Sequence, residues 1–201
     1  MPGAQGLRTE HPMVRLDIPT GMPFDAFITA FERAAPVFDS GAALRAGQSK
    51  EGQSKGGGQS GGGGQSRGGG QSTDGWHDFQ AAVAANAPNE LMIFGKVEAT
   101  AVMAIAGHQT KSTEYLLGNP VTAESMFRYH PASMLYAPLR ILVHSDDNDC
   151  AIFTLDQPSV AFGGFGIAQI TEVGVGLDRK VANLLRLIGV EPPEALAGPA
   201  E

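Results

Sequence analysis

The chain has 201 residues, a formal net charge of −7, 42% hydrophobic and 17% charged residues, and one cysteine. That length and composition suit one globular domain with one core and exclude a wholly disordered chain. The acidic balance argues against a nucleic-acid backbone or an anionic membrane as partner, since both need clustered Lys and Arg, and the lone Cys150 excludes an internal disulfide.

Residues 1–12 are polar, lack a signal-peptide core, and read as a disordered tail before a domain over 13–190. No apolar run reaches membrane-spanning length, so a cytoplasmic location is expected. Val14, Leu16 and Ile18 alternate with Arg15 and Asp17, which predicts a short strand with one buried face. Thr20-Gly21-Met22-Pro23 then opens a helix, with Pro23 at or near its first turn, where the missing N–H is harmless. Phe24, Phe27, Ile28 and Phe31 fall at i, i+3, i+4 and i+7, a core-facing stripe that Pro36 ends.

Residues 47–72 form a low-complexity insert inside this domain. Gln-Ser pairs begin at 48, 53, 59, 65 and 71, separated mostly by glycine, and no apolar residue is available to stack as in a solenoid. The insert carries Lys50, Lys55 and Arg67 against Glu51, leaving the remainder of the chain at −9. A flexible coil spanning roughly 28 Å is the expectation. Its regularity fits an engineered linker or the expansion of a short DNA repeat.

Thr73-Asp74 caps a predicted helix containing Trp76, Phe79 and Val83, closed by Pro88. Leu91–Gly95 and Thr100–Ala106 read as strands, and the first could equally continue into the second. Thr113–Leu117 is a further strand, ending at Gly118-Asn119-Pro120, where Asn119 suits an N-cap and Pro120 a first helical residue. That helix runs to about Tyr129, and His130-Pro131 stops it. Pro138–His144 and Cys150–Leu155 predict a hairpin. Leu139, Ile141 and Val143 share one face and Arg140, Leu142 and His144 the other, with turn chemistry at Ser145–Asp149. The glycine-rich stretch Phe162–Ile170 is ambiguous. A last helix spans about Leu177–Ile188, striped by Leu177, Val181, Leu184 and Ile188 and stopped by Gly189, and 191–201 read as a disordered tail. The order implies an α+β fold, a mostly antiparallel sheet with helices packed on one face.

The run Tyr115-Leu116-Leu117-Gly118-Asn119-Pro120, a helix, then Leu135-Tyr-Ala-Pro-Leu-Arg-Ile-Leu-Val143, an acidic turn and a strand ending near Asp156 and Pro158 resembles the family called domain of unknown function 302. The resemblance covers about residues 90–188, and 13–35 more loosely. It implies a small α+β domain that forms homodimers and has no established activity. The insert falls where a short connection is expected.

Four residues are candidate ligand contacts. The Asn119 amide could grip a ligand, although helix capping accounts for it as well. Arg140 could hold a carboxylate or phosphate, or pair with Asp156 across the hairpin. Tyr115 could offer a hydroxyl, or simply pack in the core. The five histidines lack metal-site spacing, and Asp146, Asp147 and Asp149 lack the calcium-loop pattern. Neither glycine run gives a phosphate loop, and no nucleophile elbow is present. No cofactor or metal is expected. The reading is a non-enzymatic domain that dimerises and binds a small apolar or anionic molecule. The alternatives are an enzyme with a site around Tyr115, Asn119, Arg140 and Asp156, or a purely structural or interaction domain.

Overall fold

The structure, a computed structural model, describes residues 8–48 and 73–197. Five strands among these residues form one antiparallel sheet in the order β1-β5-β4-β3-β2. They are β1 (Arg15–Pro23), β2 (Met92–Glu98), β3 (Ser112–Gly118), β4 (Leu139–Ser145) and β5 (Cys150–Asp156). The helices are α1 (Phe24–Ala34), α2 (Ser40–Gln48), α3 (Thr73–Asn86), α4 (Thr100–Ile105), α5 (Pro120–Phe127), α6 (Pro158–Gly163), α7 (Ala168–Leu187) and α8 (Glu194–Ala197), with a 3-10 turn at Pro131–Leu135. The expected α+β class holds.

The two-residue period of the strands decides which face is buried. Tyr115, Ile141, Leu155 and Leu16 lie in one row across four strands, and Thr113, Val143, Phe153 and Ile18 in the next. Helices α1 and α7 cover this face. Phe31 of α1 lies 5.0 Å from the Tyr115 ring and 5.9 Å from Phe153, and Phe27 lies 6.0 Å from Phe153. Helix α7 adds Leu177, Val181, Leu184 and Leu185 to the same core. Truncating one of these buried aromatic rings to Ala costs about 3–5 kcal/mol, since the cavity collapses only in part. The opposite face carries the intervening rows, Leu116, Arg140, Asp156 and Arg15, then Glu114, Leu142, Thr154 and Asp17.

The hairpin β4–β5 forms as its pattern predicts. Its acidic turn is held by Asp146, whose carboxylate accepts from the backbone N–H of Asn148 (2.9 Å) and Cys150 (2.8 Å). Gly189 takes φ +85 just past α7, the left-handed stop that a glycine supplies most cheaply.

Several boundaries differ from the expected ones. Strand β1 continues through Thr20-Gly21-Met22 to Pro23, and the helix begins only at Phe24. Gly21 absorbs the irregularity there with φ +68, and Thr20 ties the strand down by donating to the Ala151 carbonyl at 2.8 Å. Thr100–Ala106 is not a strand: α4 occupies it and buries none of its residues. Its Ala and Met favour helix, and an apolar run this short carries no period to separate the two states. Gly47 and Gln48, expected to begin the insert, close helix α2, whose Ala43 packs with Val83, Ala87 and Met92. The rest of the expected insert, 49–72, lies outside the described residues. The ambiguous stretch resolves into the end of α6 and the first turn of α7, which starts nine residues before Leu177. Two segments expected as tails make contacts. Leu196 of α8 is buried against the core, and His11 hydrogen-bonds Tyr136 at 2.7 Å.

Candidate functional site

Helix α5 follows directly on β3, and one side chain holds its first turn. Asn119 Oδ1 accepts from the N–H of Val121 (2.9 Å) and Thr122 (3.3 Å), while its Nδ2 donates to the Glu90 carbonyl at 3.0 Å. The capped helix is thereby pinned to the loop before β2. Between α5, α3, Phe94 of β2 and the segment 134–139 lies a cavity of about 400 Å³. Its walls are Trp76 and Phe79 from α3, Phe94, Met126 and Phe127 from α5, and Met134, with Leu117, Leu139 and Leu177 beneath. The Trp76 and Phe79 rings stack at 5.3 Å, and Phe94 is braced at 4.7 Å by Phe38.

The polar residues along this wall are engaged internally. Asn119 is committed to the cap and to Glu90. Glu124 pairs with Arg128 one helical turn on. Thr122 Oγ1 accepts from Lys180 Nζ of α7 at 3.3 Å, and Lys180 also pairs with Glu90 at 3.1 Å. The cavity therefore offers mostly carbon to an occupant, within the size range of small-molecule sites.

The family model described as "Domain of unknown function DUF302" matches residues 74–188, more than half of the chain. The chain belongs to the DUF302 family. A solved structure described as an uncharacterized conserved protein DUF302 from Bacillus stearothermophilus shares the fold, with a TM-score of 0.52 at 11% identity. That match covers 88% of this chain and 97% of the other, so it extends beyond the 74–188 segment. No curated protein matches the chain.

In this DUF302 domain the four sequence-predicted contacts do not converge. Asn119 lines the cavity, together with Gly118 and Pro120. Tyr115 lies wholly inside the core, where its hydroxyl donates to Glu32 Oε1 at 2.7 Å. Burial, then the Glu32 hydrogen bond, push its phenol far above the ordinary value. Glu32 is held below its ordinary value, because hydrogen bonds from Lys96 and Tyr115 outweigh the burial that would raise it. Arg140 and Asp156 sit on the other face of the sheet, 3.7 Å apart, with side chains 71% and 39% exposed. They form a surface pair.

Sequence reasoning missed most of the wall. Trp76 and Phe79 were legible only as members of a helix, Phe94 and Phe127 only as members of a strand and a helix with no role of their own, and Met134 had no reading at all. No local signal separated Met126 from Phe127, since a buried stripe can take adjacent residues, as Leu184 and Leu185 show on α7. Met126 enters the core and Phe127 stays half exposed at the cavity.

Among the described residues, no helix is long and apolar enough to cross a membrane.

Proposed function

We propose that this DUF302 domain is a non-enzymatic binding module for a small, largely apolar molecule held between α3 and α5. The observation that carries the reading is the composition of the wall: four aromatic rings and two methionines around a 400 Å³ space, with the neighbouring polar groups already paired. Apolar surface of this kind gains about 25 cal/mol for each Å² that a ligand removes from water. Trp76 is the only tryptophan in the chain and lies in that wall. Its fluorescence reports occupancy directly. Titration with 1-decanol and with naphthalene should shift Trp76 emission and raise the melting temperature, and Ala123→Phe, which fills the space from α5, should abolish both responses. If neither probe moves either signal in the wild-type protein, the domain does not bind apolar molecules there.

A second reading concerns the far face of the sheet. Leu116, Leu142 and Val97 are exposed on it beside Arg15, Arg140, Glu114, Asp17 and Asp156. Charges of both signs on one flat face suit a two-fold contact in which each copy offers the same patch to the other. We propose a homodimer through this face. Sedimentation velocity should give a dimer for the wild type and a monomer for Leu142→Arg. A monomeric wild type at the highest soluble concentration would rule it out.

A further inference from the structure

We infer that the occupant of the α3–α5 cavity is an apolar molecule ending in a carboxylate, with the carboxylate received by Lys180 and the Thr122 hydroxyl. The inference rests on the apolar-binding reading above and narrows it to a ligand class. Thr122 lines the cavity from the first turn of α5, and Lys180 Nζ stands one hydrogen bond behind it, at 3.3 Å from Oγ1. Because Lys180 donates into Oγ1, the hydroxyl keeps its own proton to donate. A donor polarised by a cation in this way makes a stronger bond to an anion than an isolated hydroxyl does.

The charges around this point favour an incoming anion that replaces an existing one. The partner of Lys180 is Glu90, whose side chain is 64% exposed. An exposed pair of this kind is worth at most about 1 kcal/mol, so Glu90 can turn to solvent when a ligand carboxylate takes its place. The acid that lines the cavity, Glu124, is neutralised by Arg128. The Asn119 cap already satisfies the first N–H groups of α5, so a ligand head is drawn to the Thr122–Lys180 pair rather than to the helix end. The tail then runs along Met126, Phe127 and Trp76, a stretch of wall that is mostly carbon.

The test compares decanoate with 1-decanol, both below their aggregation limits, by Trp76 fluorescence and melting temperature on the full chain. Decanoate should bind at least about tenfold more tightly than the alcohol, the ratio expected of one charge-assisted hydrogen bond. Lys180→Met keeps the aliphatic stem and should erase that ratio, and Thr122→Val should reduce it. Equal affinity for acid and alcohol in the wild type, or a ratio that survives Lys180→Met and Thr122→Val, overturns the carboxylate assignment while the apolar reading stands. Failure of both ligands to bind overturns both.

Discussion

Asn119 lines the cavity and also caps α5, and its replacement separates those two roles. In Asn119→Ala the N–H groups of Val121 and Thr122 lose their acceptor, and the Glu90 carbonyl loses its donor. Loss of an N-cap costs about 1 kcal/mol and loss of a further hydrogen bond about another 1 kcal/mol. The sum, about 2 kcal/mol, is a sizeable part of the roughly 5–15 kcal/mol that holds a domain together. Asn119→Asp keeps the cap oxygen and loses only the bond to Glu90, so it should cost about half as much. Urea denaturation measures both. With a slope of about 1–3 kcal/mol per molar urea, the midpoint should fall by about 1 M for Ala and about half that for Asp. An Asn119→Ala protein as stable as the wild type would refute the structural account and return Asn119 to the ligand.

Three further outcomes follow from the packing and charge. A Cβ at Gly174 of α7 would sit 3.0–3.1 Å from Phe162, Pro158 and Ser159 of α6, whereas one at Gly176 meets nothing within 4 Å. Gly174→Ala should therefore lower stability by about 1–2 kcal/mol, and Gly176→Ala, on the same helix, should raise it by up to about 1 kcal/mol; equal effects in thermal unfolding would contradict this close packing. The ends of α2 and α3 meet, since a Cβ at Gly47 would lie 3.1 Å from the Gly75 carbonyl oxygen. Replacing residues 49–72 with a short turn should change stability by no more than about 1 kcal/mol, because closure entropy varies only with the logarithm of loop length; a large loss in chemical denaturation would show that the insert contributes structure. Glu32 is held below its ordinary value of 4.5 when folded, so the stability it contributes is present above that pH and is lost as pH falls through the folded value. Glu32→Gln should flatten this acid limb of the stability profile, and an unchanged limb would mean that Lys96 and Tyr115 do not stabilise the carboxylate.

How much was legible depended on whether a signal was local. Asn119-Pro120 was read correctly because a cap and a first helical residue act on backbone within three positions of themselves. The β4–β5 hairpin was equally plain, since alternation from Leu139 to Val143 and a polar turn fix both the pairing and the buried face. The same alternation already set Arg140 on the face opposite Ile141, which is why it cannot join Asn119 at the cavity. Thr100–Ala106 failed for the converse reason. Thr100 and the six apolar residues after it suit either state, and the exposed position between β2 and β3 that allows a helix is not written in them.

The sequence by itself thus determined the type of the elements with a plain period, cap or turn, namely α1, α5, α7 and the β4–β5 hairpin, along with the family resemblance, while the short helices α2 and α6 had no reading. Tertiary structure decided the site. Trp76, Phe94, Phe127 and Met134 come from four separate segments, and each is unremarkable among its chain neighbours. They become one wall only because the Asn119 cap ties the start of α5 to the loop before β2, α3 packs against both α2 and α5, and the space between is left unfilled. A cavity is defined by the side chains that fail to meet, and no local pattern records that.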